Sequence, residues 1–115
     1  MDIDRGKETF ITLTMKKEYI LCSAIYFDDG KEHDHQPKNI TTGYVICGRR
    51  HHNCFATAYT LDPEITYLKF EKEQGFLTNL DRFVDRNEGL KIALEAEQVL
   101  DVTKLGKQLF SEDLY

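Results

Sequence analysis

The sequence predicts an α+β fold: a small, mainly antiparallel sheet with one well-capped helix at about residues 85–99 and one further short helix. Short runs of β-branched and aromatic residues stop at glycine turns, and one later segment carries the start signals of a helix. The two kinds of element do not alternate as βαβ units would. With 115 residues, 41% of them hydrophobic, the chain is expected to form one packed domain.

The strands are predicted from apolar runs between turn signals. Ile20–Phe27 is a buried strand that stops at Asp28-Asp29-Gly30, and Tyr44–Cys47 is a second strand between two glycines. The polar residues 31–39 between them form a loop. Three more short strands are predicted at Tyr67–Phe70, Gly75–Thr78 and Arg82–Val84.

Two segments carry helical signals. Asp85 is a good N-cap, and Glu88 three residues later completes a capping box for the helix over about 85–99. An apolar stripe follows on one face of this helix, formed by Ile92, Ala96 and Val99. His51–Thr60 has apolar residues at helical spacing but also β-forming residues, so both structures stay open there.

Charge and cysteine content exclude several classes of protein. Fifteen Lys and Arg against twenty Asp and Glu give a net charge of −5, which argues against binding polymeric nucleic acid or an anionic membrane. Three cysteines do not make a disulfide framework. No stretch reaches the roughly 20 apolar residues of a membrane span, and no signal peptide is recognised. We expect a cytoplasmic protein in which residues 1–18 are an extension and residues 19–115 form the domain.

The densest polar cluster is Cys47-Gly48-Arg49-Arg50-His51-His52-Asn53-Cys54. Arg49 and Arg50 offer planar donors that grip a phosphate and stack on a base, and His51 adds a donor. The alternative is a surface loop whose arginines pair with acidic residues. The Cys and His spacing matches no standard zinc pattern, and Cys47 at the end of a strand is expected in the core. We therefore predict no metal and no cofactor.

A second cluster surrounds the start of the capped helix. Phe76 is predicted either as a stacking surface for a purine or as a core residue, and Phe83 as a core residue. Arg82 and Arg86 lie at the positive end of the helix dipole, and Asn87 carries an amide that reads a base edge. Alternatively, the two arginines pair with the neighbouring aspartates. No catalytic motif is present, and no catalytic residues are predicted.

Several ordered motifs resemble a known family. They are Ala24–Gly30, His33–Ile40, Gly43–Cys54, Gly75–Thr78, Arg82–Arg86 and Leu109–Tyr115. Over about residues 19–115 they resemble the first-described Thoeris anti-defence proteins of phages, which sequester bacterial immune signals.

The resemblance implies a non-catalytic function in the cytoplasm of the infected bacterial host. Members bind cyclic ADP-ribose isomers such as glycocyclic ADP-ribose without cleaving them, some also hold CBASS cyclic trinucleotides, and dimers assemble into hexamers. The implied ligand-binding positions are Arg49, Arg50, Phe76, Arg82 and Arg86. Two other classes stay open: a phosphodiesterase using histidines and a metal, and a protein–protein inhibitor acting through the apolar tail.

Overall fold

A four-stranded antiparallel sheet and two α-helices make up residues 17–64 and 71–115, which the computed structural model describes. The strands are β1 (Ile20–Asp28), β2 (Tyr44–Gly48), β3 (Glu71–Thr78) and β4 (Phe83–Asp85), in the order β2-β1-β3-β4. The helices are α1 (His51–Leu61) and α2 (Arg86–Glu95). The α+β prediction is confirmed. No helix within these two ranges is long and apolar enough to cross a membrane.

Both helices pack on one face of the sheet. Ile25 on β1 contacts the buried side of α1, where Cys54 and Ala58 lie. Phe76 on β3 packs with Ile92 and other residues of the second core cluster, beside α2. Phe76 stands opposite Ser23, which shares a face with Ile25, so the two clusters lie side by side on the same surface. Of the helix and the strand that the sequence left open at His51–Thr60, the structure has the helix.

A polar loop covers part of the opposite face. The Tyr26 hydroxyl donates to the Thr42 carbonyl at 2.6 Å, and the Tyr26 ring lies 5.8 Å from that of Phe83. The Asn39 amide takes the place of a strand at the edge of β4, because it donates to the Phe83 carbonyl at 2.8 Å and accepts from the Phe83 N–H at 2.9 Å. Phe83 is buried, which confirms its predicted place in the core.

Helix α2 begins as predicted but ends four residues early. The Asp85 side chain accepts a hydrogen bond from the Glu88 N–H at 2.8 Å, which is the N-cap half of the predicted capping box, whereas the Glu88 carboxylate accepts from Arg82. The helix ends at Glu95 rather than Val99, because Glu97 adopts a left-handed conformation with φ of 58°. Bonds from Glu97 N to Leu94 O and from Gln98 N to Ala93 O complete a Schellman motif. The turn lets the Gln98 amide clamp the Ile20 N–H and carbonyl, each at 2.8 Å.

Replacing Glu97 with glycine is expected to stabilise the fold. A left-handed residue with a Cβ costs about 1–2 kcal/mol, so glycine should raise the free energy of unfolding by about 1 kcal/mol. Glu95→Gly is the matched control, since the same change inside the helix should lower stability by about 0.5–1 kcal/mol. Urea unfolding of both variants measures whether the free energy of unfolding rises or falls in each. A loss of stability in Glu97→Gly would contradict the prediction.

The C-terminal tail, residues 105–115, folds back onto the domain. Leu109 and Leu114 are buried in the cluster that holds Phe76, and the Leu109 N–H donates to the Arg86 carbonyl at 3.0 Å. One short 3-10 helix, Val102–Lys104, comes just before the tail, and a second, Ser111–Asp113, lies within it. The predicted strand at Tyr67–Phe70 lies outside the described residues.

Candidate functional site

A groove of about 710 Å³ lies between β3, the start of α2 and the tail, and we call it the Arg86 groove. It brings together two cations, three amides and two aromatic rings: Lys72, Arg86, Gln74, Asn87, Gln108, Phe55 and Phe110. Of the predicted site residues, Arg86 and Asn87 line this groove. None of the other five groups lies in a sequence pattern that predicted ligand binding.

Arg86 is the centre of the groove's hydrogen-bond network. Its Nη1 donates to the Leu109 carbonyl at 2.7 Å, and its Nη2 donates to Gln74 Oε1 at 2.6 Å. Its guanidinium carbon lies 4.5 Å from the centre of the Phe110 ring, a cation–π contact. Burial lowers the pKa of Arg86, but a guanidinium stays protonated in proteins, so the groove holds a fixed positive charge.

The buried ring of His51 links Arg86 to the backbone of β3. Its ring is buried, and Nε2 lies 2.8 Å from the Gly75 carbonyl, which fixes the proton on Nε2. Nδ1 is then free to accept from Arg86 Nη2 at 3.3 Å. Burial is the main cause that lowers the pKa of His51, and the charge of Arg86 adds to it. The histidine is therefore a neutral positioning residue rather than a donor to a ligand.

The state of His51 predicts a loss of stability in mild acid. Because its pKa is lower in the folded chain, the unfolded chain binds more protons below about pH 6.5, and stability falls as pH drops through that range. Urea unfolding at about pH 7.5 and about pH 5.5 should show this loss, and His51→Gln should reduce it. An equal loss in His51→Gln would show that another group causes it; Arg86 and Glu112 are the charged groups that act on His51.

Two carboxylates give the groove a mixed charge. Glu73 and Asp85 lie at its border, since Glu73 pairs with Tyr26 of the opposite face and the Asp85 carboxylate caps α2. Burial, with a smaller contribution from the charge of Asp85, raises the pKa of Glu73. Carboxylates accept hydrogen bonds from hydroxyl and amino groups, whereas Lys72 and Arg86 attract phosphate. A ligand that carries both kinds of group, such as a nucleotide, matches this set of side chains.

Arg49 and Arg50 lie at the far end of the tail. Arg50 Nη1 donates to Ser111 Oγ at 3.0 Å, and Nη2 donates to the backbone oxygen of Tyr115. Both guanidinium groups lie over the Tyr115 ring, at 5.7 Å for Arg49 and 5.0 Å for Arg50. Arg50 therefore anchors the tail, whereas Arg49 is exposed. The tail connects them to Arg86, which holds Leu109.

Two predicted site residues lie elsewhere. Phe76 is completely buried and has no face on which a base could stack, so the structure places it in the core. Arg82 lies outside the groove, where it donates two hydrogen bonds to Glu18, at 2.7 and 2.8 Å, and one to Glu88 at 2.7 Å. These carboxylates raise the pKa of Arg82 and accept from its Nε and Nη2. The alternative of acid pairing holds for Arg82, with partners other than the neighbouring aspartates.

The Cys and His residues of the first cluster do not meet at one point. Cys47 is exposed rather than in the core, because it points to the face opposite the helices. Cys54 is buried on the side of α1 that faces the sheet. Within the described ranges, no group of three or more His, Cys, Asp or Glu side chains is arranged to hold a metal ion.

The fold and the groove define a small α+β domain whose two helices and tail border a cleft of mixed charge on one face of an antiparallel sheet. The chain belongs to the phage T4 y16D protein family, whose model matches residues 19–115, and so to a family of phage proteins. Searches of curated proteins and of solved structures found no significant match.

Proposed function

We propose that this phage protein sequesters small cyclic nucleotide immune signals without cleaving them. The ligand class is that of glycocyclic ADP-ribose from Thoeris, and it extends to the cyclic trinucleotides of CBASS. Capture would keep the signal from its effector. The observation that carries the proposal is the Arg86 groove, where a fixed guanidinium and a lysine lie beside aromatic rings and amides.

The groove chemistry supports a nucleotide of this kind. Lys72 and Arg86 would contact the phosphates, and the Asn87 amide would read the edge of the base. Phe110 offers a flat apolar surface that is 46% exposed even though Arg86 lies over it. The carboxylates of Glu73 and Asp85 would accept bonds from ribose hydroxyls or the adenine amino group. Sequestration needs only these contacts and no nucleophile or base.

A homo-oligomer is part of the same proposal. A second subunit across the groove would bury more of the ligand than one chain does, since ligand sites commonly enclose most of the ligand's surface. Symmetry would also give each ligand-binding residue a second copy. Light scattering coupled to size exclusion tests this; a strictly monomeric protein that still binds tightly would remove the oligomer from the proposal.

Calorimetry with glycocyclic ADP-ribose tests the function. We expect saturable binding, followed by recovery of the unchanged ligand when the protein is heat-denatured, as measured by mass spectrometry. A hydrolysed product would indicate the phosphodiesterase instead. Absence of binding both to this ligand and to a cyclic trinucleotide would reject sequestration.

Groove variants that leave the packing intact test the site. Lys72→Ala and Asn87→Ala should each lower affinity about ten-fold or more, because each removes a polar contact worth roughly 1.4 kcal/mol or more. Their melting temperatures should stay close to that of the wild type. Lys91→Ala is the matched control, since Lys91 is exposed on α2 and does not line the groove. Equal affinity in all three variants would place the ligand elsewhere.

A further inference from the structure

Two of the three cysteines lie together on the sheet face opposite the helices. The register pairs Ala24 of β1 with Cys47 of β2, and Cys22 shares a face with Ala24, so the two cysteines are diagonal neighbours. Cys47 is exposed and Cys22 is partly exposed. A cavity of about 140 Å³ reaches Cys47 beside Leu77.

The diagonal spacing decides what this pair of thiols can do. Diagonal residues across an antiparallel pair have Cα atoms about 7–8 Å apart. A disulfide needs Cα atoms about 4.4–6.8 Å apart and a sulfur–sulfur bond of about 2.05 Å. Two sulfurs that each bind one metal ion at about 2.3 Å lie as much as about 4.6 Å apart. The spacing therefore favours a shared ion over a disulfide.

We propose that Cys22 and Cys47 form a two-thiolate site for a soft monovalent metal ion, Cu(I). Thiolates select soft ions, and Cu(I) accepts two sulfur ligands in a linear arrangement. A structural zinc ion takes four ligands, and the pair supplies two. On binding, each thiol releases one proton and forms one sulfur–copper bond, so no electron is transferred. The site lies on the other face of the sheet from the Arg86 groove and does not depend on the proposed function.

Anaerobic titration of the reduced full chain with Cu(I) tests the site, with bicinchoninate as the competing chelator. We expect one Cu(I) per chain by native mass spectrometry and two sulfur neighbours by X-ray absorption. Cys22→Ser and Cys47→Ser should each lower Cu(I) affinity about a hundred-fold, because a single thiolate remains. Both side chains reach solvent, so circular dichroism should show an unchanged fold.

Cys54→Ala is the matched control, because this third thiol is buried under α1 on the other face. It should bind Cu(I) with the affinity of the wild type. Unchanged affinity in Cys22→Ser or Cys47→Ser would overturn the proposal, as would a matching loss in a folded Cys54→Ala variant. A Cys22–Cys47 disulfide formed by diamide in the native protein would overturn the spacing argument on which the site rests.

Discussion

Gly75→Ala is expected to prevent the chain from folding. A Cβ at this position would lie 2.0 Å from the Val84 carbonyl oxygen and 2.7 Å from Cζ of Phe83, far inside van der Waals contact. The clash falls within the pairing of β3 with β4, where Gly75 stands opposite Asp85, so the backbone cannot withdraw without breaking the sheet. We expect a loss of more than about 4 kcal/mol, which is within the exceptional range for one substitution.

Circular dichroism and urea unfolding measure this effect. Gly106→Ala is the control, because a Cβ there meets open space and should change stability by less than about 0.5 kcal/mol. Relieving the clash would also shift the Gly75 carbonyl, which accepts the bond from His51, so any folded remnant should bind ligand poorly as well. A Gly75→Ala protein with the melting temperature of the wild type would show that β4 does not pair with β3 as described.

Arg86→Ala is expected to damage both stability and ligand capture. The change removes the donors to Leu109 and Gln74 and the cation over the Phe110 ring, which should lower the free energy of unfolding by about 2–4 kcal/mol. It also removes the central cation of the groove, so affinity for glycocyclic ADP-ribose should fall about a hundred-fold. Thermal unfolding and calorimetry measure the two effects separately.

Two further variants separate the roles of Arg86. Arg86→Lys keeps the charge but cannot reach both partners with a planar fork, so it should recover part of the affinity and little of the stability. Leu109→Ala removes a fully buried side chain and should cost about 2–5 kcal/mol while leaving the Arg86 side chain in place. If Leu109→Ala, still folded at low temperature, loses affinity as strongly as Arg86→Ala, then Arg86 acts only by holding the tail.

Local signals explain why most elements could be predicted. The Asp85 side chain accepts the Glu88 N–H from only three residues away, and the apolar run of β1 buries a face in any sheet. The C-terminal end of α2 could not be predicted, because the apolar position Val99 continued the helical period. The left-handed turn at Glu97 that ends the helix has no local signal, and it places the Gln98 amide on the backbone of Ile20, which is distant in sequence.

The candidate site was predicted in part. Arg86 and Asn87 line one groove because both follow the N-cap of α2 and lie next to β3. Lys72 and Phe110 join them from distant segments, and neither carries a local pattern that indicates binding. Local sequence also could not decide between the two predictions for Phe76, since a phenylalanine after a glycine suits a core position and a stacking surface equally well.

The sequence by itself determined the α+β class, the strands around their glycine turns and the capped start of α2, because these depend on residues close together in the chain. Only the tertiary structure decided which arginine faces a cavity. Arg82 pairs with Glu18, and Arg50 donates to the tail. Arg86 donates to the tail and also lines the groove. The physical reason is that a guanidinium binds whichever oxygen the fold brings within about 3 Å, and that partner lies far away in sequence.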